Sequence, residues 1–276
     1  MRKYLFILLA AAALCLQGCS SDSNKPIKCH VSGTVTGADG DALIIPFGQG
    51  SSDAIATLRV VDGVFDGSFK GIENLAYQLV IWDKANNQGI FTYFFPDKGG
   101  VKFTCDGSAS NPIEYTATGS VNKSFLKEKD EENASFAARW AALDEKGAEM
   151  ETTKTFLSEK TYEIMAELQD KDIKLERRNA LLEQIGAMEK DITLFSDNAK
   201  VWLKEQDSLL KEQQEFRRNW IISNPDVASL FLLYTEINSQ KQDGQDTSEL
   251  ENAYRTIFAD KFPHHIYHSA ISRLID

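Results

Sequence analysis

The chain has 276 residues, of which 42% are hydrophobic and 26% charged. At roughly 150 residues per domain this allows one large domain or two ordinary ones, and it excludes a small disulfide-stapled scaffold, wholesale disorder and a multi-span membrane protein. Thirty Lys and Arg against 41 Asp and Glu leave a net charge of −11. That balance opposes docking on nucleic acid or on an anionic lipid surface, and no local basic patch offsets it.

Arg2 and Lys3 precede an apolar run from Tyr4 to Leu16. The run is too short for a bilayer-spanning helix, which needs about 20 residues, and has the make-up of a signal-peptide core. It ends in Leu16-Gln17-Gly18-Cys19, which resembles the bacterial lipobox, where the cysteine thiol carries lipid. Residues 1–18 are therefore expected to be a lipoprotein signal peptide, and Cys19 the lipidation site. Loss of Arg2 and Lys3 takes the net charge from −11 to −13, so acyl chains rather than charge must hold the protein at a membrane. Each buried CH₂ contributes about 0.8 kcal/mol. Residues 19–26 form a polar tether whose only acid is Asp22. The expected address is the cell envelope at the outer membrane, with the periplasmic and external sides both open.

From Ile27 to Ser120 the chain is rich in glycine and turns, and short alternating runs recur as a β-sandwich or barrel requires. Strands are expected near 28–36, 42–47, 55–61, 64–70, 76–82, 89–95, 100–105 and 113–118. Asp39-Gly40 and Asp62-Gly63 are hairpin-type dipeptides, because glycine supplies the positive φ of a tight turn. From Val121 onward the apolar residues take helical spacing, as in Trp202, Leu209 and Phe216 with Leu203, Leu210 and Trp220 alongside. Asn224-Pro225 and Asp246-Thr247-Ser248-Glu249 carry helix-start signals, the second with capping-box spacing. The acidic segment from Glu128 to Glu132 reads as a solvated helix face. The fold class is thus a segregated α+β: an antiparallel β-sandwich over 27–120, then a helical domain over 121–276 that should fold alone.

Several of these stretches share a pattern with a known family. Val31-Ser32-Gly33-Thr34-Val35, Asp62-Gly63-Val64-Phe65, Phe95-Pro96-Asp97-Lys98-Gly99-Gly100-Val101-Lys102-Phe103 and Thr118-Gly119-Ser120-Val121-Asn122 resemble a β-rich domain of unknown function. That domain sits at the amino end of membrane-anchored thioredoxin-like lipoproteins of Gram-negative bacteria. The helices around Asn224-Pro225-Asp226-Val227-Ala228-Ser229 resemble the helical insert of the same proteins. The resemblance implies a shared anchor and platform. The family's oxidoreductase site is missing, since no Cys-x-x-Cys occurs in the chain and no cysteine follows Cys105.

Four groups of residues invite a chemical reading. Cys29 and Cys105 alternate with apolar neighbours, so both should face the interior, either as a structural disulfide or as two separate buried thiols; a catalytic redox pair is the third alternative, and burial disfavours it. His264 and His268, with His265 between them, have the i, i+4 spacing by which one helix face offers two imidazoles to a metal. Against a metal site stand the missing zincin glutamate and the simpler reading of a solvated helix start after Pro263. Phe91, Tyr93 and Phe95 share one face of a strand, beside Trp82, and form a candidate binding surface for a glycan or peptide, or else cross-strand packing. Asp39 and Asp41 lack the rest of a calcium loop and read as a turn. No motif for acyl transfer, dinucleotide or nucleotide chemistry occurs, and no cofactor is implied. The expected function is a non-catalytic binding or assembly platform, held to the membrane by lipid, with an envelope protein or glycan as partner. Its alternative is an accessory to thiol-disulfide homeostasis, partnered by a separate thioredoxin-like protein.

Overall fold

A computed structural model describes residues 25–36, 40–83, 88–106 and 113–276. The expected signal peptide, Cys19 and most of the expected tether lie outside the described residues, as does Asp39.

Eight strands form two four-stranded sheets, followed by helices. The strands are β1 (Pro26–Val35), β2 (Asp41–Pro46), β3 (Ala56–Arg59), β4 (Val64–Ile72), β5 (Tyr77–Asp83), β6 (Gln88–Phe94), β7 (Val101–Cys105) and β8 (Glu114–Ala117). The first sheet has the order β4-β1-β7-β8 and the second β3-β2-β5-β6. Each expected strand has a counterpart, and the segregated α+β class holds. All pairings are antiparallel except β1 with β7, which run parallel from Val31 opposite Val101 to Val35 opposite Cys105. Alternation shows which face of a strand is buried but carries no information on the direction of its neighbour.

Period-two burial builds the core between the sheets. Cys29, Val31, Phe65, Phe69 and Phe103 from the first sheet join Ala42, Ile44, Leu79, Ile81 and Phe94 from the second in one cluster. Phe94 meets Phe69 and Phe103 edge-on, with ring centroids 6.1 and 5.2 Å apart. Gly33 is glycine because the Phe65 ring lies over it: a Cβ there would come within 2.4 Å of that ring. Asp62 and Gly63 take φ of 52° and 73°, the geometry of the tight turn read from the dipeptide. Gly40 opens no such hairpin, since β1 and β2 lie in different sheets.

The helices are α1 (Ser120–Thr152), α2 (Glu159–Leu168), α3 (Leu175–Lys190), α4 (Asp197–Ser223), α5 (Val227–Gln242), α6 (Ser248–Ala253) and α7 (Ile266–Ile275). Two start signals shift slightly. Asn224-Pro225 precedes the start of α5 by a turn residue, and Asp226 is the cap, its carboxylate accepting from the Ser229 N–H at 2.9 Å. At α6 the reciprocal box does not close. Asp246 accepts from the Ser248 N–H, while the Thr247 hydroxyl donates to Glu251.

The chain does not divide into compact units at residue 121. The described residues up to Lys127 form one unit with Trp220–Asp276, and Glu128–Asn219 form the other. The reason lies in α5, where Ala228 to Leu233 are all buried. A helix apolar all round needs partners on every side, and α5 finds them in the strand core, with Phe231 against Phe47, Tyr93, Phe95 and Phe125. Tyr254, Phe258, Tyr267 and Ile271 join the same core. In the second unit α1 and α4 pack through Phe136 and Phe216, 5.7 Å apart, and through Trp202, whose ring would lie 2.9 Å from a Cβ at Gly147. Leu209 is buried there as its spacing predicts, whereas Leu210 is exposed. A smaller cluster of Ile164, Leu181 and Met188 joins α2 to α3.

Candidate functional site

The stretches 95–103 and 118–122 meet in space, and what they build is a polar clasp. The Asp97 carboxylate accepts from the N–H groups of Gly99 and Thr118, each at 2.8 Å, from the Thr118 hydroxyl, and from the Gly119 N–H. Burial opposes its ionisation, yet these hydrogen bonds outweigh burial and hold its pKa below the usual value. Asn122 binds both the N–H and the C=O of Phe95, at 2.9 and 2.8 Å. The motif thus fixes the β6–β7 connection to the start of α1, which is a structural task.

Cys29 and Cys105 are both buried and are not bridged to each other. Register explains this: Cys105 lies opposite Val35, six residues along β1 from Cys29, a separation of about 20 Å at 3.3 Å per residue. A disulfide requires Cα atoms within about 7 Å, so the bridged alternative is ruled out. Desolvation raises the Cys29 pKa, partly offset by the Asp97 N–H at 3.4 Å and reinforced by the Asp97 charge. Such a thiol is poorly disposed to exchange.

The histidine pair does not form a helical ligand face. Helix α7 begins only at Ile266, which leaves His264 exposed ahead of it. His268 Nδ1 instead hydrogen-bonds the Tyr254 hydroxyl at 2.8 Å, and that hydroxyl also meets Ser272. His265, between them in sequence, is the buried one. Its Nδ1 accepts from the Tyr267 N–H to cap α7, and burial lowers its pKa to about 4, against a hydrogen bond to the Asn74 backbone. Among the described residues, no three His, Cys, Asp or Glu side chains are grouped to hold a metal ion.

Glu128 and Glu132 correct the expectation of a solvated face, because both are buried. Arg217 of α4 pairs with them, its Nε 3.5 Å from Glu128 and its Nη2 bonded to Glu132. Gln213 donates to Glu132 at 2.8 Å and accepts from the Trp140 indole at 3.0 Å. A signal was available. Phe125, Glu128, Glu132 and Phe136 share one stripe at helical spacing, so the two acids stand inside an apolar row. A cleft of about 410 Å³ in the same unit is lined by Lys146, Glu149 and Asn198, and Lys146 is already engaged by Glu205 at 2.7 Å.

The aromatic row divides between core and solvent. Phe95 is buried against Phe125 and Phe231, and Tyr93 packs on Phe47 and Phe231 while its hydroxyl accepts from Gln78. For these two the packing alternative wins. Phe91, 5.7 Å from Tyr93 on the same face, is 53% exposed. Trp82 on the adjacent strand is 41% exposed, and its ring stands 3.4 Å from where a Gly89 Cβ would sit. Leu43 and Val80, opposite each other on β2 and β5, lie half-buried on the same face. Phe91 and Trp82 therefore form an open aromatic area at the margin of the second sheet, and of the expected site residues Phe91 alone presents an apolar ring to solvent.

No known family matches this chain, and no curated protein or solved structure matches it. Among the described residues no helix is long and apolar enough to cross a membrane.

Proposed function

We propose that this protein is a lipid-anchored platform of the cell envelope, held at a membrane through acyl chains on Cys19. It binds or assembles partners through the Trp82–Phe91 face without covalent chemistry of its own. The anchor rests on the charged start, short apolar core and Gly18-Cys19 exit of the sequence. The observation that supports the platform is the exposure of Phe91 and Trp82 side by side on a sheet face. Exposed aromatic pairs of this kind mark interaction sites, because they offer large apolar area at small entropic cost.

Mass spectrometry of the amino-terminal peptide from the native envelope tests the anchor. Acylated Cys19 is the expected result. An unmodified terminus at another residue overturns it. Replacing Cys19 with alanine should leave the chain unprocessed or soluble.

A further inference from the structure

The strand that carries Phe91 lies at the edge of its sheet, and its outward main-chain groups can be assigned. The Phe47 N–H donates to the Ala76 C=O, and the Ala76 N–H is taken by the Tyr267 hydroxyl at 2.7 Å. Ala76 therefore turns away from β6. Antiparallel strands alternate in this respect, so Gln78, Val80 and Trp82 also turn away from β6, while Tyr77, Leu79 and Ile81 turn toward it. The latter pair with Phe94, Thr92 and Ile90. It follows that Gly89, Phe91 and Tyr93 direct their N–H and C=O groups outward. Phe95 continues the phase, and the Asn122 side chain occupies both its groups. No described strand pairs with the three residues before it.

The other edges are blunted in ways that β6 is not. β3 and β8 have only four residues each and carry Arg59 and Glu114, and β4 carries Asp66 and Lys70. β6, seven residues long, has neither a charge nor a proline. Short length, charge and proline are the usual means of preventing strand addition.

We propose that β6 is a self-pairing edge, on which a second copy of this chain adds its own β6 antiparallel, joining two second sheets into one of eight strands. The register places Phe91 opposite the second copy's Phe91 and Gly89 opposite the second copy's Tyr93. All three outward residues are then used. A shift of two toward the carboxyl end would need Phe95, which Asn122 already occupies. Gly89 has no side chain to collide with the Tyr93 ring, which is fixed by Phe47 and Phe231. The pairing also covers the exposed Phe91 ring, and it does so where a chain of net charge −11 carries no charge to repel its copy.

This deepens the platform reading by naming the partner of the same face, and it rests on that reading only for the face, not for the anchor. In light scattering of the purified protein, the wild-type chain should have twice the single-chain mass. Phe91→Lys, which sets two ammonium groups face to face, should reduce it to one. Facing residues of this type have Cα atoms about 5.5 Å apart, within disulfide range. Phe91→Cys should therefore give a reducible dimer on mild oxidation, whereas Tyr93→Cys and Val64→Cys should not. A single-chain mass for the wild type, or equal cross-linking at 64 and 91, overturns the proposal; preferential cross-linking at 93 overturns the register. Acylated Cys19 on a single-chain protein would refute the pairing and leave the anchor standing. A dimer with an unmodified terminus would do the reverse.

Discussion

The two compact units keep buried polar groups out of water in different ways. In the unit formed by the described residues up to Lys127 and Trp220–Asp276, the partners are mainly main-chain: Asp97 rests on the N–H groups of Gly99, Thr118 and Gly119, Asn122 on Phe95, His265 on Tyr267, and Tyr267 on Ala76. In residues 128–219 the buried acids rely on side chains instead, with Arg217 beside both Glu128 and Glu132 and Gln213 donating to Glu132. Main-chain donors are placed by strand and helix ends and cannot swing away. A side-chain partner is one substitution from being lost. The first arrangement fixes loops, and the second leaves stability resting on single residues.

The largest effect should follow from removing the arginine that serves both buried glutamates. Arg217→Met leaves those carboxylates without their shared cation and should destabilise the protein by about 3–5 kcal/mol in urea unfolding. Adding Glu128→Gln and Glu132→Gln should restore most of that loss. If the triple variant is no more stable than the single one, Arg217 acts through packing and the contrast between the units fails.

Asp97→Ala should come next, at about 3 kcal/mol, because it orphans the donors of Gly99, Thr118 and Gly119. Its pKa is lowered on folding, so its contribution is present above the unfolded carboxylate value and is lost as pH falls through the lower, folded one. The alanine variant should therefore lose less stability on acidification than the wild type. Equal acid sensitivity would show that the clasp does not need the charge.

A smaller effect, confined to pH, should come from His265. Its folded pKa of about 4 lies below the unfolded value of 6.5. The unfolded chain therefore binds the extra proton first, and stability falls as pH drops from 6.5 toward 4, by about 2–3 kcal/mol. Asn can cap a helix without titrating. His265→Asn should flatten the stability curve over that window while leaving it unchanged near pH 7, and an unaltered slope would mean that His265 is solvated.

How far the sequence could be read depended on whether the deciding force was local. The eight strands and the Asp62-Gly63 turn follow from alternation and glycine chemistry within a few residues. The break between units does not, because the fall in glycine content after Ser120 marks the change from strand to helix and carries no information on which helices share the strand core. The all-apolar run Leu230 to Leu233 was the available hint, since such a helix cannot face water on any side. Alternation placed Phe91, Tyr93 and Phe95 on one face, but only tertiary packing by Phe231 and Phe125 decides that two are covered and one is open. Alternation within each strand turns both thiols inward, while their separation depends on a parallel register that no local pattern encodes.

Amide hydrogen exchange along β6 tests the central claim, that its outer edge is the working surface of the platform, most directly. Ile90 and Thr92 point their N–H groups into the sheet and should be protected in both wild-type protein and the Phe91→Lys variant. The Gly89 and Tyr93 amides should be protected in the wild type, where a second copy takes them up, and should exchange rapidly in the variant. Rapid exchange of Gly89 and Tyr93 in the wild type, or protection that survives Phe91→Lys, would contradict the account.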